Sequence, residues 1–141
     1  MPEHVEDKLC YQLYAISRHV IRRYQPLLAE IGLTYPQYLA MIVLWEMGTA
    51  SVNQLGARLQ LDSGTLTPLL KRLAAQGLIR RDRDPNDERK VNLTLTEAGR
   101  ALEAAAAPIP LHVFCATGAS EAEVLALHAA LRPLLDRIRN E

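Results

Sequence analysis

The chain has 141 residues, 49% apolar and 23% charged, with 16 basic and 16 acidic side chains and a formal net charge of zero. That length makes one compact domain with a buried core and excludes a large multidomain enzyme. The longest uninterrupted apolar run, Leu39 to Trp45, is far too short to cross a bilayer, so no membrane partner is expected.

Taken in chain order, the first residues are acidic and carry no apolar leader, which predicts a cytoplasmic protein. A helix over 7–31 follows. Leu9, Leu13, Ile16, Val20, Leu27 and Ile31 mark one stripe at three-four spacing, and Cys10, Tyr14, Ser17, Ile21, Tyr24 and Leu28 mark its neighbour. Thr34-Tyr-Pro-Gln37 has the spacing of a capping box and opens a helix over 36–47. Ser51-Val-Asn-Gln54 opens another over 52–59, and Ser63 begins one over 63–76. Val91, Leu93 and Leu95 alternate with polar residues and pair with 78–83, and the Asp84-Pro-Asn-Asp-Glu88 turn between them completes a hairpin. Helices over 97–107 and, after the capping box Ser120-Glu-Ala-Glu123, over 121–139 finish the chain. The prolines of 108–118 interrupt the alanine-rich helix before them.

Six helices and one hairpin predict a mainly α fold with a small β-hairpin wing, a winged helix-turn-helix. Charge agrees with that layout. Residues 1–51 carry a net charge of −1, residues 52–96 +3 and residues 97–141 −2, so the basic centre suits an anionic partner, double-stranded DNA. In such a unit the second helix enters the major groove. Ser63, Thr65 and Thr67 supply hydroxyls at its start, and Lys71 and Arg72 follow for phosphates or guanine edges. Pro68 is expected to kink that helix. The apolar faces of the first and last helices exceed what one small unit can cover, which predicts a homodimer built from the chain ends. Residues 1–50 and 97–141 would form its interface and residues 51–96 the DNA-binding lobe.

Asp87-Glu-Arg89 followed by Leu95-Thr-Glu-Ala-Gly99 resembles the wing signature of the MarR family of bacterial transcription regulators. Leu9-Cys-Tyr11, Tyr24-Gln-Pro-Leu-Leu28, Gly32-Leu-Thr-Tyr-Pro-Gln-Tyr38 and Leu61-Asp-Ser-Gly-Thr-Leu-Thr-Pro-Leu-Leu-Lys-Arg72 resemble its organic hydroperoxide-sensing OhrR group, over roughly residues 8–100. The resemblance implies a repressor that holds operator DNA when reduced and leaves it when an organic hydroperoxide oxidises Cys10. It further implies that Arg89 enters the minor groove, that Tyr24 and Tyr35 stabilise the thiolate, and that Cys115 closes a disulfide to the partner subunit.

The chemistry suits those residue types. A free thiol with a pKa of about 8.5 is only about 3% thiolate at pH 7. A hydrogen bond to a charged acceptor contributes roughly 1.5–3 kcal/mol, so two phenols favour the anion by about 2–4 pKa units before desolvation opposes them. Tyr24 lies fourteen positions after Cys10, about 21 Å along one helix, and reaches a thiol only on a second chain. Tyr38 and Tyr14 are physically possible substitutes. Three alternatives carry different expectations. A repressor induced by a non-covalent small aromatic ligand would not need Cys10, and a thiol peroxidase would not need a winged helix. Zinc would need closer ligands, since Cys10 and His19 share no helical turn and His112 with Cys115 is a solitary pair. No metal, no cofactor and no enzymatic activity are therefore expected.

Overall fold

The computed structural model describes residues 4–141, which form seven α-helices and three short strands. The chain divides into two compact units: Leu27–Pro108, and Met1–Pro26 together with Ile109–Glu141. The chain leaves one unit for the other at Pro26 and again at Pro108.

The central unit starts with the last turn of helix α1 (Leu9–Ala29), which stops where Gly32 takes a positive φ of 75° and Leu33 N–H reaches back to the Leu28 carbonyl. Helices α2 (Tyr35–Met47), α3 (Val52–Leu59) and α4 (Ser63–Ala75) follow. Reciprocal capping boxes start α2 at Thr34 and α3 at Ser51, while the Asp62 carboxylate caps α4 by accepting from Thr65 N–H at 2.7 Å. The core beneath them is made of Leu28, Met41, Leu44, Leu55, Leu66, Leu70 and Leu73, all essentially without exposure.

The wing is larger than the anticipated hairpin. Strands β2 (Ile79–Asp84) and β3 (Asp87–Leu95) pair antiparallel, and β1 (Thr49–Ser51) adds to the far side of β3 in the order β1-β3-β2. Three residues are too few to show an alternating pattern, so β1 is visible only through its pairing of Ala50 with Leu93. Asp84 and Asp87 are themselves paired, leaving Pro85 and Asn86 as the tip.

Helix α5 (Glu97–Ala106) closes the central unit, with Trp45 Nε1–H donating to the Gly99 carbonyl at 2.9 Å. The compact unit therefore takes in α2 and α5, where a boundary at residues 50 and 97 would leave them with the dimerisation helices.

The other unit holds most of α1, α6 (Ile109–Thr117) and α7 (Glu121–Arg139). Helix α6 is a correction: 108–118 is not merely a break. Pro110 stands at its second position, where a missing N–H costs nothing, so the segment that ends α5 also starts a new helix. Among the described residues α7 buries none of its 19. Leu125, Leu127, Leu131, Leu134, Leu135 and Ile138 remain exposed there, as do Leu9, Leu13 and Ile16 on α1.

Candidate nucleic-acid interface and thiol sites

The helix-turn-helix is set by its caps and one unusual backbone residue. Gln60 ends α3 in the left-handed region, with φ 56°, and its N–H returns to the Gly56 carbonyl. Gly56 is needed here: a Cβ on it would lie 2.8 Å from the Leu61 carbonyl oxygen. The turn delivers Asp62 to its capping position, where bonds from the Thr65 backbone hold its carboxyl below the usual range. Ser63, Thr65, Lys71 and Arg72 are exposed along the outer face of α4, and Thr67 is half-buried. The Thr67 hydroxyl donates to the Ser63 carbonyl at 2.7 Å, so its proton is already used.

At the wing tip the Asp84 carboxylate accepts from Asn86 N–H and from the Asn92 side chain, which lowers its pKa. Arg89 projects into solvent with 93% of its side chain exposed, its Nε 3.4 Å from the Asp87 carboxylate, which also accepts from its backbone N–H at 3.1 Å. A groove of about 290 Å³ runs between the start of α4 and the wing, lined by Ser63, Thr67, Arg81, Arg89, Lys90 and Val91 among others. Arg81 had no place among the candidates read from sequence. Its signal was the strand alternation that puts it on the same face as Ile79.

Both thiols, Cys10 and Cys115, are free and exposed. Cys10 occupies the second position of α1, while Tyr24 on the same helix is buried, so the structure does not bring these two together within one chain. Tyr14 is exposed and engaged by Arg18, whose guanidinium lies 5.3 Å from its ring centre. Tyr35, at the start of α2, is half-buried beside Tyr38, with ring centres 6.2 Å apart. Burial pushes the Tyr35 phenol pKa up, so the phenol stays protonated at neutral pH. Cys115 lines a mainly apolar groove of about 530 Å³ between α6 and α7, with Leu111, Phe114, Val124 and His128. Among the described residues no three His, Cys, Asp or Glu side chains gather to hold a metal ion, and no helix is long and apolar enough to cross a membrane.

Comparison with known proteins places this architecture. The family model described as transcriptional regulator SarA/Rot matches residues 22–105. An organic hydroperoxide resistance transcriptional regulator of Bacillus subtilis is 44% identical over 137 residues, 97% of this chain and 93% of that protein. AbfR of Staphylococcus epidermidis superposes with a TM-score of 0.77 at 34% identity, over 94% of this chain and 92% of that one. Structures of AbfR include a reduced form bound to DNA and a disulfide-formed state. BpsR of Bordetella bronchiseptica, whose DNA binding is regulated by 6-hydroxynicotinic acid, superposes with a TM-score of 0.84 at 28% identity, over 96% and 99% of the two chains. With a winged helix-turn-helix of this build and relatives matched along nearly its whole length, the chain belongs to the MarR family of transcriptional regulators.

Proposed function

We propose that the protein is a cytoplasmic, dimeric repressor that binds operator DNA while Cys10 is reduced and releases it when an organic hydroperoxide oxidises that thiol. The observation that carries this reading is an exposed thiol in the first turn of α1, a helix that leaves Leu9, Leu13 and Ile16 exposed among the described residues. The likeness to a hydroperoxide resistance regulator and to AbfR supports it. In the dimer each Tyr24 serves the partner's thiol, since α1 holds its own Tyr24 about 21 Å from Cys10, and Tyr35 is the second phenol donor.

The chemistry balances without a cofactor. The Cys10 thiolate attacks the terminal oxygen of ROOH, the O–O bond breaks, and the alkoxide leaves and is protonated to ROH. The sulfur has then lost two electrons and is a sulfenic acid. The Cys115 thiolate of the partner subunit attacks that sulfur, an S–S bond forms, and hydroxide departs, taking up a proton as water. On the DNA side, Ser63, Thr65 and Thr67 face base edges in the major groove. Lys71 and Arg72 meet phosphates or guanine edges, and Arg89 enters the minor groove. Non-reducing electrophoresis after treatment with an alkyl hydroperoxide tests the pairing. A linked dimer is expected in the parent and not in Cys115→Ser, and a linked dimer in Cys115→Ser would refute the assignment.

BpsR favours a second reading, release by a non-covalent small aromatic ligand. The Cys10→Ser variant separates the two. As a redox sensor it stays on operator DNA whatever the peroxide, whereas a ligand-induced repressor would respond to inducer as the parent does.

A further inference from the structure

Gln76 ends the reading helix α4, and its backbone N–H bonds the Arg72 carbonyl at 2.9 Å. The helix needs nothing more from this residue in order to stop. Gly77 follows with a positive φ of 76°, its N–H returns to the Ala74 carbonyl, and Leu78 N–H returns to the Leu73 carbonyl. The Gln76 side chain instead reaches 44 positions back along the chain, where Nε2 donates to the Gly32 carbonyl at 2.7 Å. Its Oε1 accepts from Nε2 of Gln37 at 3.4 Å. Gln37 is one of two buried polar residues among those described, at 5% exposure. Its own Oε1 accepts from Thr34 N–H at 2.9 Å, part of the capping box that starts α2 just before Tyr35. One pair of amides therefore joins the end of α4, which carries Lys71 and Arg72, to the start of α2, which carries Tyr35.

We infer that Gln37 and Gln76 are positioning residues for the redox response, and that the link between them carries the state of the Tyr35 loop to the reading helix. The inference rests on the redox reading above and adds to it a route, inside one chain, between a phenol donor and the DNA contacts. The two ends of the link are unequal. Gln76 is exposed, where water replaces a lost hydrogen bond, so the link adds little to stability. Gln37 is buried, and an amide donor left without a partner there is costly. If the start of α2 shifts away from α4, Gln37 loses its partner unless Gln76 follows. Following moves the last turn of α4, because the Gln76 backbone is itself bonded to Arg72. The link thus gives the Tyr35 loop and the reading helix a contact that differs between two arrangements, which coupling between sites requires.

The test uses the full-length protein and a duplex recovered from a random-sequence pool by capture on its reduced form. Duplex Kd is measured for reduced protein and for protein whose Cys10 thiol has been consumed by cumene hydroperoxide, and the readout is the ratio of the two. Coupled sites change each other's affinity by about 5–150-fold, and the parent's ratio is expected in that range. Gln76→Met, of similar length but without donor or acceptor, should cut the ratio by about fivefold. Gln37→Met should do the same, and the double variant should cut it no further, because both remove one link. A merely structural role weakens both forms alike, so an unchanged ratio in a folded Gln76→Met overturns the link and leaves the redox reading standing. Additive losses in the double variant overturn it as well. A parent that binds the duplex equally in both forms removes the redox reading and this inference with it. If Gln76→Met does not fold, the Gln76 side-chain amide resonances of the parent, assigned by their loss in Gln76→Glu, decide. A difference between reduced and oxidised protein supports the link, and coincident signals overturn it.

Discussion

Gly99 sits where a methyl group has no room. A Cβ there would collide with the Leu78 carbonyl oxygen, and its own carbonyl holds Trp45. Gly99→Ala is expected to cost about 1–3 kcal/mol of stability, read as a lower urea midpoint at unchanged slope. Arg89 is the opposite kind of residue, with 93% of its side chain exposed. Arg89→Ala should leave the melting temperature unchanged while weakening duplex binding and flattening its salt dependence, and an unaltered salt slope would exclude it from the interface. Tyr24→Phe removes a hydroxyl and little volume. If that phenol donates to the partner's Cys10, the variant's thiol should be oxidised roughly tenfold more slowly by organic hydroperoxide at neutral pH, measured by stopped-flow loss of free thiol. These roles differ in how much of them sequence reveals: the motif that holds Arg89 and Gly99 lies within one short stretch, residues 87–99, whereas the Tyr24 role needs a second chain.

Among the elements, α4 is capped at its start by a single side chain, Asp62. Asp62 titrates lower in the folded chain because Thr65 N–H donates to its carboxylate, and Asp84 does so because Asn92 and Asn86 donate to it. Their stabilising effect is thus complete above the ordinary carboxyl value of 3.8 and is lost as pH falls through the lowered folded values. Asp62→Asn keeps a capping oxygen but has no carboxyl to protonate. Its stability should fall less steeply than the parent's below about pH 4, as followed by circular dichroism in urea at each pH. Caps such as Thr34, Ser51 and Ser120 were readable because a capping box is a four-residue pattern with its reason contained in it. Strand β1 was not, since a three-residue strand is defined by its partner.

At the scale of the whole molecule, the uncovered faces of α1 and α7 decide the assembly. Among the described residues none of the 19 in α7 is buried, so packing within its own chain does little to hold this helix. A two-fold dimer offers those faces to each other and carries two reading helices to half-sites about one DNA turn apart. Leu127→Glu with Leu131→Glu, placing charges on that seam, is expected to shift sedimentation equilibrium from dimer toward monomer and to abolish high-affinity duplex binding. A double variant that stays dimeric would place the interface elsewhere.

Local patterns were enough for the helix caps, the apolar stripes, the reading helix and the Asp87 to Gly99 wing motif, because each is a short-range pattern whose cause lies within a few residues. Other features required tertiary structure: the third strand, the packing of α2 and α5 with the winged helix, the restart of helix at Ile109, and above all the inward placement of Arg81 opposite Leu93. Each of these depends on which distant segments meet, and a guanidinium looks like any other surface charge until the register shows that its strand turns it toward the core.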